Sequence, residues 1–274
     1  MSGSGPAAAH RGGTGTPLVC LHGFMETWHA WSLALPALER RHAVLAPTLP
    51  GHAGGPPLGG PAGADALLDG IEAAMDAAGI GLAHVAGTSL GGHLALRLAE
   101  RGRARSVAAF APAGGWAPDD HASPRALLDA QARLRAELRD AGRQAVALIA
   151  TREGRRRLTR DLTVRFEHIP ADLLARLVAG VAGCDAAEAL IAAARRDGWP
   201  IAPERIACPV RIVWGARDRL LPWPAAAAGL RAQLPHAEWI VLDDVGHAPQ
   251  LDVPLEAAEL ILGLTGGRSI RGRG

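Results

Sequence analysis

Val85-Ala86-Gly87-Thr88-Ser89-Leu90-Gly91-Gly92 is the stretch on which the reading of the fold turns. The apolar run 82–86 in front of Ser89 predicts a short buried strand, and the pattern over 90–101 predicts a helix that stops at Gly102. Between them lies Gly-x-Ser-x-Gly, a sharp strand-to-helix turn that lifts a serine hydroxyl clear of the backbone. Gly87 and Gly91 keep side chains out of the corner where strand and helix meet. The free N–H groups at the start of such a helix face whatever negative charge develops beside Ser89.

Outward from this turn, strands and helices alternate. Residues 17–21, 43–47 and 106–111 read as strands, and 65–78 as a helix with Leu67, Leu68, Ile71 and Met75 on one side. A helix carrying Trp28, Trp31, Leu35 and Leu38 is expected after a Thr27 cap. The alternation βαβαβαβ predicts a doubly wound, mostly parallel sheet, whose sites gather at the C-terminal ends of its strands. From about 115 to 203 no good strand is found. Helices are expected at 123–140, 144–158, 170–181 and from a capping box at Asp185–Glu188 to Gly198. This block reads as an all-helical insertion. Strands at 210–214 and 238–242 and a helix at 254–264 complete the α/β pattern. The expected division is a flexible lead 1–16, a core of 17–114 and 204–265, a helical cap 115–203, and a flexible tail 266–274.

Composition narrows the function classes. With 274 residues, 49% of them hydrophobic, the chain can bury the core of a large α/β domain. No apolar run approaches the ~20 residues that span a bilayer, and the first 16 residues lack a signal-peptide core. Cys20, Cys184 and Cys208 are widely spaced, which suits free thiols in a cytoplasmic setting and makes no metal cluster. Every basic residue other than histidine is arginine, and the net charge is only +2, so no nucleic-acid partner is expected. The chain contains no lysine, which rules out a Schiff base and a Walker phosphate loop.

A serine nucleophile needs a base, and the base needs an orienting acid. After Ser89 the chain supplies Asp218, in Gly215-Ala216-Arg217-Asp218 just past a strand, and His247, in Gly246-His247 past the last strand. Asp119, Asp120, Asp243 and Asp244 compete for the acid role, but only Asp218 sits in a short turn directly off a buried strand. His52, His84 and His93 are expected to be structural. Oxyanion donors are expected from the backbone N–H groups of Leu90, the residue after Ser89, and of Phe24, in His22-Gly23-Phe24 after the first sheet strand.

With these motifs in that order, together with Pro50-Gly51-His52, the chain over residues 17–264 resembles the α/β-hydrolases with a serine nucleophile and a helical cap. That resemblance implies acyl transfer to water with no metal and no organic cofactor. The expected substrate is a small, largely apolar acyl compound, most simply a carboxylic ester, with Met25, Trp28, Trp116, Trp199 and Ala248 as candidate pocket residues. Carbon–carbon hydrolysis of a ring-cleavage diketone and cofactor-free haloperoxidase-like chemistry fit the same layout. Against the former, Ala248 stands where those enzymes usually carry tryptophan. A non-catalytic ligand-binding scaffold is the reading from outside enzymology. The family's usual opening antiparallel hairpin is not visible in residues 1–16.

Overall fold

The computed structural model describes residues 8–141 and 143–267. Its frame is a seven-stranded sheet in the order β1-β3-β2-β4-β5-β6-β7. The strands are β1 (Ala9–Gly12), β2 (Thr16–Leu21), β3 (His42–Pro47), β4 (Ala83–Thr88), β5 (Ala104–Phe110), β6 (Val210–Gly215) and β7 (Glu238–Leu242). All neighbouring pairs are parallel except β1 with β3, which runs antiparallel from Ala9 opposite Pro47 to Gly12 opposite Val44. The expectation of a flexible lead is therefore corrected over its described part: residues 9–12 are an edge strand. The period-2 signal was too short to find there, because Ala-His-Arg-Gly has no apolar alternation. Residues 1–7 and 268–274, where the rest of the lead and most of the expected tail fall, lie outside the described residues.

Side chains alternate in direction along the strands, and the central strands are buried nearly throughout, so a core lies on each face of the sheet. Val19 and Leu21 of β2 point to one side and join Leu67, Leu68 and Ile71 of α2 (Ala64–Asp76) and Leu94 and Leu98 of α3 (Leu90–Glu100). Leu18 and Cys20 point to the other side. There they join Leu35 and Leu38 of a short α1 (Leu35–Leu38) and Ala257 and Ile261 of a C-terminal helix that spans Pro254–Thr265. The expected single helix after Thr27 is instead a 3-10 turn over Trp28–Trp31 followed by α1. Trp31 is buried against Phe110 under the sheet, so packing rather than helical period places it.

Between β5 and β6 the chain forms α4 (Ala122–Ala141), α5 (Arg143–Leu148), α6 (Arg152–Thr159), α7 (Ala171–Ala182) and α8 (Ala187–Asp197). The expected helix 144–158 is broken, because the Thr151 side chain accepts the Gly154 N–H at 3.0 Å and starts a new helix. The expected capping box is absent. Ala186 occupies the N-cap of α8 without a side-chain hydrogen bond, and Glu188 instead pairs with the buried Arg135 at 3.1 Å. Leu138, Leu173, Leu174, Leu177 and Val178 make a core of the insertion's own, which closes on Ala30 and Leu251 of the α/β body. After β6 come α9 (Ala228–Gln233), then, past β7, α10 (Pro249–Asp252) and α11 (Pro254–Thr265). No single helix among the described residues is long and apolar enough to cross a membrane.

Candidate active site

The C-terminal ends of β2, β4, β6 and β7 bring the candidate residues together. Ser89 follows β4 with φ 55° and ψ −116°, a left-handed φ that side chains rarely adopt. Three hydrogen bonds hold it there. Its N–H donates to Phe110 O at 2.9 Å, and its carbonyl accepts from the N–H groups of His93 and Ala113, each at 3.0 Å. The two glycines of the motif are steric necessities. A Cβ on Gly87 would lie 2.1 Å from the Gly91 carbonyl oxygen, and one on Gly91 would lie 2.3 Å from that of Leu21.

Asp218 and His247 meet because their loops are in backbone contact. Ala216 and Arg217 donate to the carbonyls of Leu242 and Val245 at 2.9 Å each. A Cβ on Gly215 would strike the Gly246 carbonyl at 2.2 Å, so glycine permits this approach. The Asp218 carboxylate then divides its work. Oδ1 accepts the N–H groups of Leu220 and Leu221 at 2.9 and 2.7 Å, while Oδ2 lies 2.7 Å from Nδ1 of His247. Both residues are buried. With Nδ1–H donating to Asp218, Nε2 is the lone-pair nitrogen of neutral His247. Burial by itself disfavours the imidazolium, but the Asp218 carboxylate, its hydrogen bond and the charge of Glu26 outweigh it, and the His247 pKa is raised. The rival acids are placed elsewhere. Asp243 and Asp244 are exposed, Asp244 pairing with Arg217 at 3.3 Å, and Asp120 caps the turn at Ser123.

The loop after β2 is fixed by neighbours that sequence reading treated only as a motif. His22 is fully buried and neutral, its pKa driven well down by burial and by nearby His52. Its Nδ1–H donates to the Gly23 carbonyl at 2.7 Å and its Nε2 accepts the Leu49 N–H at 2.9 Å. Glu26 accepts the Gly23 N–H at 2.7 Å. Met25 is held at φ 60° and packs against Cys184 and Ala187 of the insertion. Among the described residues the Phe24 and Leu90 N–H groups have no backbone acceptor outside their own secondary-structure elements. His52 and His93 are buried, with pKa values pushed down by burial to about 4 and about 3, and His84 is held by Ser106 Oγ at 2.8 Å.

Two cavities meet at Ser89. One, of about 1070 Å³, runs between α2 and α8 and is lined by Leu90, Leu128, Leu190 and Trp199. The other, of about 750 Å³, lies under the insertion and is lined by Met25, Glu26, Leu177, Val178 and His247. Of the candidate pocket residues, Met25 and Trp199 line one cavity each. Trp28, Trp116 and Ala248 line neither. Trp28 stacks on His29, Trp116 is buried in the core against α9, and Ala248 is buried in the core of the insertion.

Three functional neighbours were not found by sequence reading. Thr88 Oγ1 donates to Gln250 at 3.0 Å and so ties the serine turn to the segment after His247. Buried Asp252 accepts N–H groups from Gly246 at 2.7 Å and from Val164 and Arg165 at 2.9 and 2.7 Å, and so joins the His247 loop to the insertion. Glu26 is the third: a buried carboxylate facing His247, its own pKa raised by burial and partly restored by the Gly23 N–H and His247. Glu26→Gln keeps an acceptor for Gly23 and removes the charge. The acid limb of kcat/KM is then expected to move to lower pH, because one of the charges that raise His247 is gone. A pH–rate profile checks this, and an unmoved limb refutes it.

A strained serine at a strand-to-helix turn thus shares a cavity with the histidine of a buried Asp–His pair. A model of the α/β hydrolase fold family matches residues 16–254. The chain belongs to this family. It is 34% identical over 260 residues to a pimeloyl-[acyl-carrier protein] methyl ester esterase of Aromatoleum aromaticum, covering 89% of this chain and 96% of the relative. It is 30% identical over 198 residues to the epoxide hydrolase EphH of Mycobacterium tuberculosis, covering 71% of this chain and 91% of that protein. A thermophilic esterase from Thermogutta terrifontis has the same fold, with a TM-score of 0.71, 20% identity and coverage of 95% and 93% of the two chains. The chain is accordingly an α/β-fold hydrolase.

Proposed function

We propose that this α/β hydrolase cleaves a carboxylic ester through Ser89, His247 and Asp218. The reading is carried by the 2.7 Å Asp218–His247 pair, whose histidine lines the same cavity as Ser89. His247 Nε2 takes the Ser89 proton as Oγ attacks the carbonyl carbon, and Asp218 stabilises the imidazolium. Leu90 and Phe24 N–H groups receive the oxyanion. As the C–O bond breaks, His247 returns the proton to the leaving alkoxide. Water, deprotonated by His247, then attacks the acyl-enzyme, and the acid leaves with Ser89 restored. The relative named as a methyl ester esterase acts on the same bond type, which supports the choice of ester. An epoxide would call for the aspartate nucleophile of that branch, and Ser89 stands in its place.

A fluorophosphonate probe tests the reading. Folded protein is expected to be labelled stoichiometrically at Ser89 and to lose p-nitrophenyl acetate hydrolysis in parallel. Folded protein that resists the probe while still hydrolysing the ester would overturn it.

A further inference from the structure

Ser89 is shared between the two cavities, and His247 is not. Phe24, Ser89 and Gln131 line both, whereas His247 lines only the cavity under the insertion and Leu90 only the one between α2 and α8. This asymmetry has a chemical meaning that rests on the ester reading above. In the tetrahedral intermediate the carbonyl carbon carries Ser89 Oγ, the oxyanion, the leaving oxygen and the acyl chain. Nε2 of His247 has to reach both Oγ and the leaving oxygen, since it moves one proton from the first to the second. The alcohol therefore points into the cavity that contains His247. The oxyanion faces the backbone donors, and the acyl chain takes the remaining direction, past Leu90.

The walls agree with this division. In the α2–α8 cavity the charged groups are spent on one another: Arg97 with Asp65 at 3.1 Å, and Arg196 with Asp197 at 2.7 Å. Asp69 is likewise paired with Arg101 at 2.7 Å. What faces the ligand is Leu128, Leu190, Ile191 and Trp199, a surface suited to an uncharged chain. The cavity under the insertion is more mixed, with Leu174, Leu177 and Val178 beside the charged Arg133, Glu137 and Arg157, and its volume of about 750 Å³ is far more room than methanol fills.

We propose that the acyl chain of the substrate lies between α2 and α8 and its alcohol lies under the insertion, so that the preferred substrates are esters of an apolar acyl chain, extended on both sides of the carbonyl. Nothing is added to the chemistry. The C–O bond that breaks is the one whose oxygen enters the His247 cavity.

Two ester series measured by kcat/KM test the assignment: p-nitrophenyl esters from acetate to decanoate, and acetates of alcohols from methanol to decanol. Wild-type protein is expected to gain along both series. Ala194→Phe narrows the α2–α8 cavity and is expected to flatten the acyl series by about tenfold or more at its long end. Ala74→Phe, another residue lining that cavity, should do the same. Val181→Phe is expected to flatten the alcohol series instead. Because each slope is read within one variant, a lower folded fraction scales all esters equally and leaves the slopes in place. Interchanged slopes, slopes that fall together in every variant, or unchanged slopes would each overturn the assignment. Failure of the ester reading looks different: Ser89→Ala would then hydrolyse p-nitrophenyl acetate as fast as wild type, whatever the slopes.

Discussion

Ser89→Ala is expected to lower kcat for ester hydrolysis by about 10⁶-fold, because removal of a nucleophile that acts as a unit with its base leaves only binding and oxyanion stabilisation. The size of the effect is readable because the substitution changes little else. Alanine carries the same Cβ as serine, so the strain of φ 55° is neither relieved nor increased. The hydrogen bonds that fix the turn use the backbone of residue 89, and all of them survive. Thermal melting of the variant should therefore overlay wild type while turnover disappears. Retention of more than a few per cent of wild-type kcat would remove Ser89 from the chemistry.

Asp218→Asn is expected to cost about 10⁴ in kcat with little change in KM. The carboxylate has two duties, and asparagine can perform only one. Its amide oxygen can still accept from Leu220 and Leu221, which keeps the loop in place. The amide nitrogen then faces His247 as a donor, so Nδ1 must accept. The proton moves to Nε2, where a base needs its lone pair. Loss of the negative charge also removes the main influence that lifts the His247 pKa against burial. An activity loss below tenfold would mean that another carboxylate supports His247, and Glu26, the other acid that faces it, would be the one to remove next.

The α/β frame was legible because its signals are strong and local. β7 was expected at 238–242 and occupies Glu238–Leu242, and the serine turn carries its own glycines. Chain order did not separate Asp218 from Asp243 and Asp244, since all three lie between Ser89 and His247; the short turn directly off a buried strand is what favoured Asp218. Signals failed where tertiary contacts do the positioning. β1 is held by its pairing to β3 and has no pattern of its own. Trp116 looked like a pocket residue because large aromatics near a hinge often are, yet α9 buries it. Gln250 is bonded to Thr88 and Asp252 to Val164, partners 162 and 88 residues away in the chain, so no spacing could have announced them.

The three N–H groups gathered by Asp252 tie the seating of the insertion to the position of the His247 loop. One of them belongs to the residue before the catalytic-base candidate and two belong to the stretch that joins α6 to α7. A carboxylate buried under such donors resists being pulled apart, because each charge-assisted bond lost would leave a charge without solvent. The insertion is thereby anchored to the His247 loop at this point. One buried side chain thus makes the seating of the insertion and the position of that loop a single structural feature, although the two belong to different parts of the fold.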